Sequence, residues 1–222
     1  MSLRRTIQSR IATTVDGIFG PATFTALIRY MGGADMASAL GLAASRHLPA
    51  HGIDANPLRL TEWFGEMAHE SQGFTRTVES LIYSSASRIR AVWPSRFRTD
   101  AAARPFVRQP EKLANHVYGG RLGNREAGDG WQFRGRGLVH LTGRANYADA
   151  GRALGLPLED RPEMAADPDV AVRIACWYWM ARDLNALADW GMSEHITRRI
   201  NGGVHGLDDR ERRKARFRRL WQ

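Results

Sequence analysis

Twice along this chain an N-capping side chain is followed at once by proline, at Asn56-Pro57 and at Asp167-Pro168, and each pair opens an apolar periodic run. Proline fixes φ near the helical value and lacks an N–H that the first helical turn leaves unpaired anyway, so this order of residues starts helices. After Pro57, the residues Leu60, Phe64, Met67 and Ala68 recur at spacings near three and four, which predicts one buried stripe on a helix reaching Gln72 and stopped by Gly73. After Pro168, the same reasoning places Val170, Ile174, Trp177 and Tyr178 inward. Further helices are read from Ala34 to Leu48, from Glu111 to Tyr118, from Thr142 or Gly143 to a stop at Gly155, from Ser193 to Ile200 and from Asp208 to Leu220. Val78 to Ser85 and the glycine-rich stretch Gly119 to Gly137 read as loop and short strand. The fold class that follows is mainly α, with a small β element between the helix ending at Gln72 and the helix after Thr142.

Residues 1–33 read as a small helical segment separable from residues 34–222, because Gly32-Gly33 closes one apolar periodic run before another begins. Within it, Val15-Asp16-Gly17-Ile18-Phe19-Gly20-Pro21-Ala22-Thr23 encodes a turn and a helix opened by Pro21, with Phe24, Leu27 and Ile28 on one face. That string resembles the core motif of small peptidoglycan-binding modules and covers about half of one. Two readings stand side by side: a partial wall-binding module, or a helical cap packed on the main domain.

With 32 Lys+Arg against 23 Asp+Glu the chain carries a formal +9, an excess made mostly of arginine. An anionic partner is expected: nucleic acid, an acidic membrane surface, or the phosphate and carboxylate polymers of a bacterial envelope; the bland alternative is solubility alone. The single cysteine, Cys176, lies in the apolar run Val172 to Met180, which excludes an internal disulfide framework and predicts a buried, inert thiol. No apolar segment of signal-peptide length follows Arg4-Arg5, and no run approaches a membrane span, so synthesis in a cytoplasm without a signal peptide is expected. His69, His116, His140, His195 and His205 are scattered without paired spacing, and Gly135-Arg136-Gly137 lacks a following Gly-Lys-Ser/Thr. Neither a metal, a nucleotide nor another cofactor is expected.

The residues with chemistry to offer are Glu70, near the end of an amphipathic helix beside its buried stripe, and Glu79 nine residues later. By position alone Glu70 would pass for an ordinary surface glutamate such as Glu62 or Glu66. On one continuous helix nine residues would separate Glu70 and Glu79 by roughly 13 Å along the axis and turn them to opposite faces. Gly73 ends the helix, so a return segment could bring Glu79 to face Glu70 across a groove. Two carboxyls so placed are the minimum for glycoside hydrolysis, one protonating the leaving oxygen and one activating water or attacking directly.

Ala68-His69-Glu70-Ser71, followed by Val78-Glu79-Ser80 and Tyr83-Ser84, and above all Trp131-Gln132-Phe133-Arg134-Gly135-Arg136-Gly137-Leu138-Val139-His140-Leu141-Thr142-Gly143-Arg144-Ala145-Asn146-Tyr147, resemble glycoside hydrolase family 19. That family comprises plant-type chitinases and phage endolysins on a lysozyme-like α+β fold with a small β element flanking a substrate groove. The resemblance implies inversion of configuration, with Glu70 as general acid, Glu79 as base and Thr142 holding the water. It also implies substrate contacts at Tyr83, His140, Asn146, Asn201 in Ile200-Asn201-Gly202-Gly203, and Arg213. His140 stands where the family has glutamine, a departure that argues against chitin. From the residues alone, Thr142 would be a helix N-cap and Asn201-Gly202 a helix stop. The expectation is a monomeric endolysin acting on bacterial peptidoglycan after release from the cytoplasm. A chitinase, a lytic transglycosylase and a basic nucleic-acid- or wall-binding protein are the alternatives.

Overall fold

In the computed structural model, which describes residues 2–222, helices make up 59% of the chain. The helices are α1 (Leu3–Arg10), α2 (Pro21–Met31), α3 (Ala37–Ala50), α4 (Pro57–Glu70), α5 (Ala86–Val92), α6 (Asp100–Ala103), α7 (Pro110–Tyr118), α8 (Asp129–Gln132), α9 (Arg144–Leu154), α10 (Pro168–Met180), α11 (Leu184–Asp189), α12 (Ser193–Asn201) and α13 (Leu207–Arg218). The mainly α class expected from the sequence is what the chain adopts. Its β content, among the described residues, shrinks to isolated antiparallel bridges of Arg136 with Val78 and with Leu141. Gly137 (φ 77°) and His140 (φ 47°) turn the backbone too tightly there for a ladder to propagate. The helices belong to two compact units: the chain up to Thr77 with Gly137–Val139 and Ala166–Gln222, and Val78–Arg136 with His140–Ala165.

In the first unit, α4 starts as its sequence dictates, with the Asn56 side chain accepting from the Arg59 amide at 2.9 Å. It ends at Glu70, because Ser71 Oγ turns back to the Met67 carbonyl (2.6 Å) and accepts the Phe74 amide (2.9 Å). Gln72, Gly73 and Phe74 then all take positive φ. Asp167 caps α10 through the amides of Asp169 and Val170. That helix buries Val170, Ile174 and Cys176 with Trp179, while Trp177 and Tyr178 stay half-buried. Burial pushes the Cys176 thiol far up, leaving it un-ionised. Ile7, Phe19, Phe24, Leu27 and Ile28 share one core with Leu40, Trp63, Phe64 and Phe217. The boundary read after Gly33 therefore does not coincide with a break in that core. A Cβ on Gly33 would lie 2.6 Å from that of Phe74, so the glycine pair serves close backbone approach to Gly73-Phe74.

In α13 and the turn after it Phe217 and Leu220 are buried, and so are Arg210 and Lys214. Their partners are Glu62 and Glu66 on α4, taken from the sequence as surface residues and in fact buried. Lys214 Nζ lies 2.8 Å from both Glu62 and Glu66 and 2.7 Å from Ser193 Oγ. Thr197 Oγ1 completes the shell of Glu66 at 2.8 Å. Against the burial that would lower it, these carboxylates raise the Lys214 ammonium, so it stays charged. The lysine stem crosses α4 at Gly65, where a Cβ would sit 2.3 Å from Lys214 Cγ. Lys214→Ala leaves two buried carboxylates uncompensated, and chemical unfolding should show a loss of about 3–5 kcal/mol.

The second unit has its own core of Leu81, Ile89, Phe97, Ala103, Leu113, Ala114 and Val117. Helix α9 opens after Gly143 (φ 91°) and is stopped by Gly155 in the left-handed conformation, as read. Arg144 in its first turn reaches the buried Asp129 at 2.6 Å and Glu159 at 3.2 Å. Asp129 also accepts the amides of Arg125 (2.9 Å) and Glu126 (3.0 Å), which ties the glycine-rich loop to α9. The Arg144 guanidinium, helped by those amides, holds the Asp129 carboxyl at about 2. A carboxyl lowered on folding contributes stability above its unfolded value and loses it as pH falls through the folded one. The wild type should thus lose thermal stability between about pH 4 and pH 2, and Asp129→Asn should flatten that part of the Tm–pH curve.

Candidate active site

In the first unit, Glu70 ends α4 with its side chain about one-fifth exposed, and Arg210 Nη2 donates to its Oε1. The other arm of the same guanidinium donates to Glu66 Oε2. A chain of charge runs along the two helices: Glu62, Lys214, Glu66, Arg210, Glu70. It forms because Glu62, Glu66 and Glu70 repeat every four residues on α4, opposite Arg210 and Lys214 at the same interval on α13. The planar guanidinium of Arg210 bridges the two carboxyls with one arm on each, which fixes their relative orientation in a way a flexible lysine would not.

Beside it, His69 Nδ1 contacts Asp209 Oδ2 at 2.7 Å, and Arg213 Nε donates to the same oxygen at 2.6 Å. Against the burial that would raise it, Arg213 and His69 hold the Asp209 carboxyl at about 2. Gly206 leaves room for this, since a Cβ there would approach His69 Cε1 to 2.4 Å. Arg213 is thus tied to Asp209, and the arginine that touches Glu70 is Arg210. Asn201, the last residue of α12, donates to the His205 carbonyl (3.0 Å) and accepts the Gly203 amide (2.9 Å), the turn its sequence encodes.

In the second unit, half-buried Glu79 is held on both oxygens. Tyr118 donates its hydroxyl to Oε1 at 2.7 Å, and the Gly135 amide donates to Oε2 at 3.3 Å. The Glu79 amide returns a bond to the Gly135 carbonyl at 2.9 Å. A Cβ on Gly135 would come within 3.2 Å of Glu79 and of the His140 Cβ, so the glycine of the Gly-Arg-Gly motif lets these two residues lie together. Burial, then the Glu79 charge, raise the phenols of Tyr118 and Tyr83 and keep both protonated. Tyr147 is pushed up to about 12 by burial, and its hydroxyl donates to the Arg134 carbonyl at 2.8 Å.

Thr142 is not the cap of α9: its hydroxyl donates to the His140 carbonyl at 2.7 Å, and Gly143 occupies the capping position. Asn146 is exposed and donates to the Thr142 carbonyl at 2.7 Å. The second unit accordingly gathers Glu79, Tyr83, His140, Thr142 and Asn146, and the first holds Glu70, Asn201 and Arg213. Sequence reasoning passed over Tyr118, Arg210, Glu66 and Lys214. The signal for the last three was present in the matching four-residue repeats of opposite charge.

The mainly α chain thus holds Glu70 in an ion-pair chain and Glu79 in a cradle of neutral donors. The class I chitinase model of glycosyl hydrolase family 19 matches residues 100–190, downstream of both Glu70 and Glu79. A glycosyl hydrolase family 19 domain-containing protein of Haemophilus influenzae is 38% identical over 157 residues, 70% of this chain and 76% of that protein. An acidic 27 kDa endochitinase of Solanum lycopersicum is 42% identical over 149 residues, 65% of this chain and 47% of that protein. The crystal structure of a family 19, class IV chitinase from Zea mays superposes with a TM-score of 0.57 at 18% identity, covering 92% of each chain. Of the curated plant relatives it matches by sequence, the chain spans about half or less, from 47% of the Solanum lycopersicum endochitinase to 18% of one from Theobroma cacao. The chain belongs to glycosyl hydrolase family 19, and its fold is the mainly α, lysozyme-like fold of that family.

Proposed function

We propose that this chain cleaves the β-1,4 bonds between N-acetylmuramic acid and N-acetylglucosamine in bacterial peptidoglycan, as an endolysin-type enzyme made in a cytoplasm and acting, as a monomer, on the wall after release. The observation that carries the choice of substrate is the formal charge of +9. Chitin is uncharged and gains no attraction from a basic surface, whereas peptidoglycan and the polymers attached to it carry carboxylates and phosphates. His140 in the glutamine position and the partial wall-binding string of residues 15–23 support the same reading.

Glu70 is assigned the acid's role, protonating the leaving oxygen, and Glu79 the base's, taking a proton from the attacking water, with inversion at the anomeric carbon. Thr142 Oγ1, having donated to the His140 carbonyl, keeps its lone pairs to accept from that water. Asn146 and His140 are assigned to the sugar, together with Tyr83. Asn201 and Arg213 contribute through the donors that their own turn and Asp209 leave over. The chemistry asks for no cofactor.

Chitin is the second reading, favoured by the names of the plant relatives, which are endochitinases. Reducing-end release from murein sacculi and from colloidal chitin, measured in parallel, separates the two. Murein should be turned over about tenfold faster or more, and the reverse order would replace this reading with a chitinase.

A further inference from the structure

The arginines of α13 and of the turn that follows it fall into two groups. Arg210, Arg212, Arg213 and Arg218, with Lys214, each reach a carboxylate. Arg216 and Arg219 reach none among the described residues. These two meet the ends of α1 and α2, where Arg10 and Arg29 are also without a carboxylate partner. Arg10 donates to the Arg219 carbonyl, and Tyr30 donates its hydroxyl to the Arg216 carbonyl at 2.9 Å. The Arg216 guanidinium is parked over the Tyr30 ring, 4.9 Å from its centroid. All four arginines are exposed. Between Arg10 and Arg29 lies an open concavity of about 470 Å³, lined otherwise by Ile11, Ala12, Ala26 and Tyr30, with no carboxylate in its wall.

The cheaper explanation is that these cations only offset helix dipoles, since α1, α2 and α13 all end here with basic residues in their last turns. Each helix C-terminus carries about −0.5 charge, so three of them offset about 1.5 of the four positive charges. An uncompensated charge of about +2.5 is left at one place, beside an open concavity that an anion can enter. Arginine forks bind phosphate oxygens in pairs, and two of these four are already oriented, Arg216 by the Tyr30 ring and Arg10 by the Arg219 carbonyl.

We propose that Arg10, Arg29, Arg216 and Arg219 form a docking site for a phosphodiester polymer of the bacterial envelope, which holds the first unit against the wall. The assignment of the polymer rests on the envelope reading given above; the site itself rests on the arginine geometry. Each phosphate along such a chain would be gripped at low salt and released as salt screens it.

Sedimentation with insoluble walls, intact or stripped of phosphodiester polymer by hydrofluoric acid, tests the site in the full chain. R10Q/R29Q/R216Q/R219Q should bind intact walls about tenfold more weakly than the parent. R96Q/R98Q/R104Q/R108Q, which removes the same charge from exposed positions of the second unit, should change binding less than about twofold. Stripping should bring the parent down to the patch variant. Arg29→Glu alone, at a side chain with no partner among the described residues, should weaken binding several-fold and covers the case in which the fourfold variant does not fold. Equal losses in the two fourfold variants, or unchanged binding to stripped walls, would overturn the site. Dependence on the patch seen only with anionic lipid vesicles or duplex DNA would overturn the polymer. Turnover of soluble murein fragments should be unchanged in both variants. A parent that binds walls through the patch yet turns over no glycan would sink the hydrolase reading and uphold the docking site.

Discussion

Glu70→Gln should lower murein hydrolysis by about 10²–10⁴-fold while the protein stays folded. Glutamine has the shape of the glutamate, and its amide oxygen can still accept from Arg210, whose other arm remains on Glu66. The lost charge on a hydrogen bond amounts to about 1–2 kcal/mol, a shift of a few degrees in Tm for a chain of this length. What glutamine cannot do is release a proton to the leaving sugar oxygen. The readout is therefore paired: turbidity loss of permeabilised cells, and the thermal midpoint of the same preparation. An unchanged lytic rate would remove Glu70 from the chemistry, and a collapsed midpoint would assign its effect to the charge chain on α4 and α13.

A loss of comparable size is expected for Glu79→Gln, for a reason visible in its two cradling bonds. Tyr118 and the Gly135 amide are both donors, and a carboxylate accepts from both at once. Glutamine can accept from one but then turns its own NH2 group toward the other, so the variant loses the base and also strains the Gly135 loop. Tyr118→Phe separates these effects, because it keeps the carboxylate and removes one donor. It should cost about tenfold or more in kcat, in line with about 1.5–3 kcal/mol for one hydrogen bond to a charged group. If Glu79→Gln leaves the rate nearly intact while Glu70→Gln abolishes it, one acid suffices, and the lytic transglycosylase becomes the better description.

What the sequence discloses and what it hides divide along physical lines. Helices α4, α9 and α10 are legible because their ends are written locally, in Asn56-Pro57, Gly143, Gly155 and Asp167-Pro168. Short helices such as α5, α6 and α8 escape, since seven or fewer residues carry too little periodicity and owe their stability to packing. Glu62 and Glu66 look like solvated charges because the groups that neutralise them lie more than a hundred residues away. The Thr142 hydroxyl shows the same limit: by local rules it caps α9, yet the positive φ of His140 places that residue's carbonyl within its reach. Glu70 and Glu79 were legible as candidates through motif order, whereas Arg210 and Tyr118, which hold them, were not.

The central claim, hydrolysis of a wall glycan through water activated by a carboxylate, is tested most directly by the masses of the products released from purified murein in water enriched in oxygen-18. Hydrolysis releases muropeptides with reducing ends, each carrying one heavy oxygen at the anomeric carbon. Products with 1,6-anhydro ends, lighter by one water and free of the label, would contradict it.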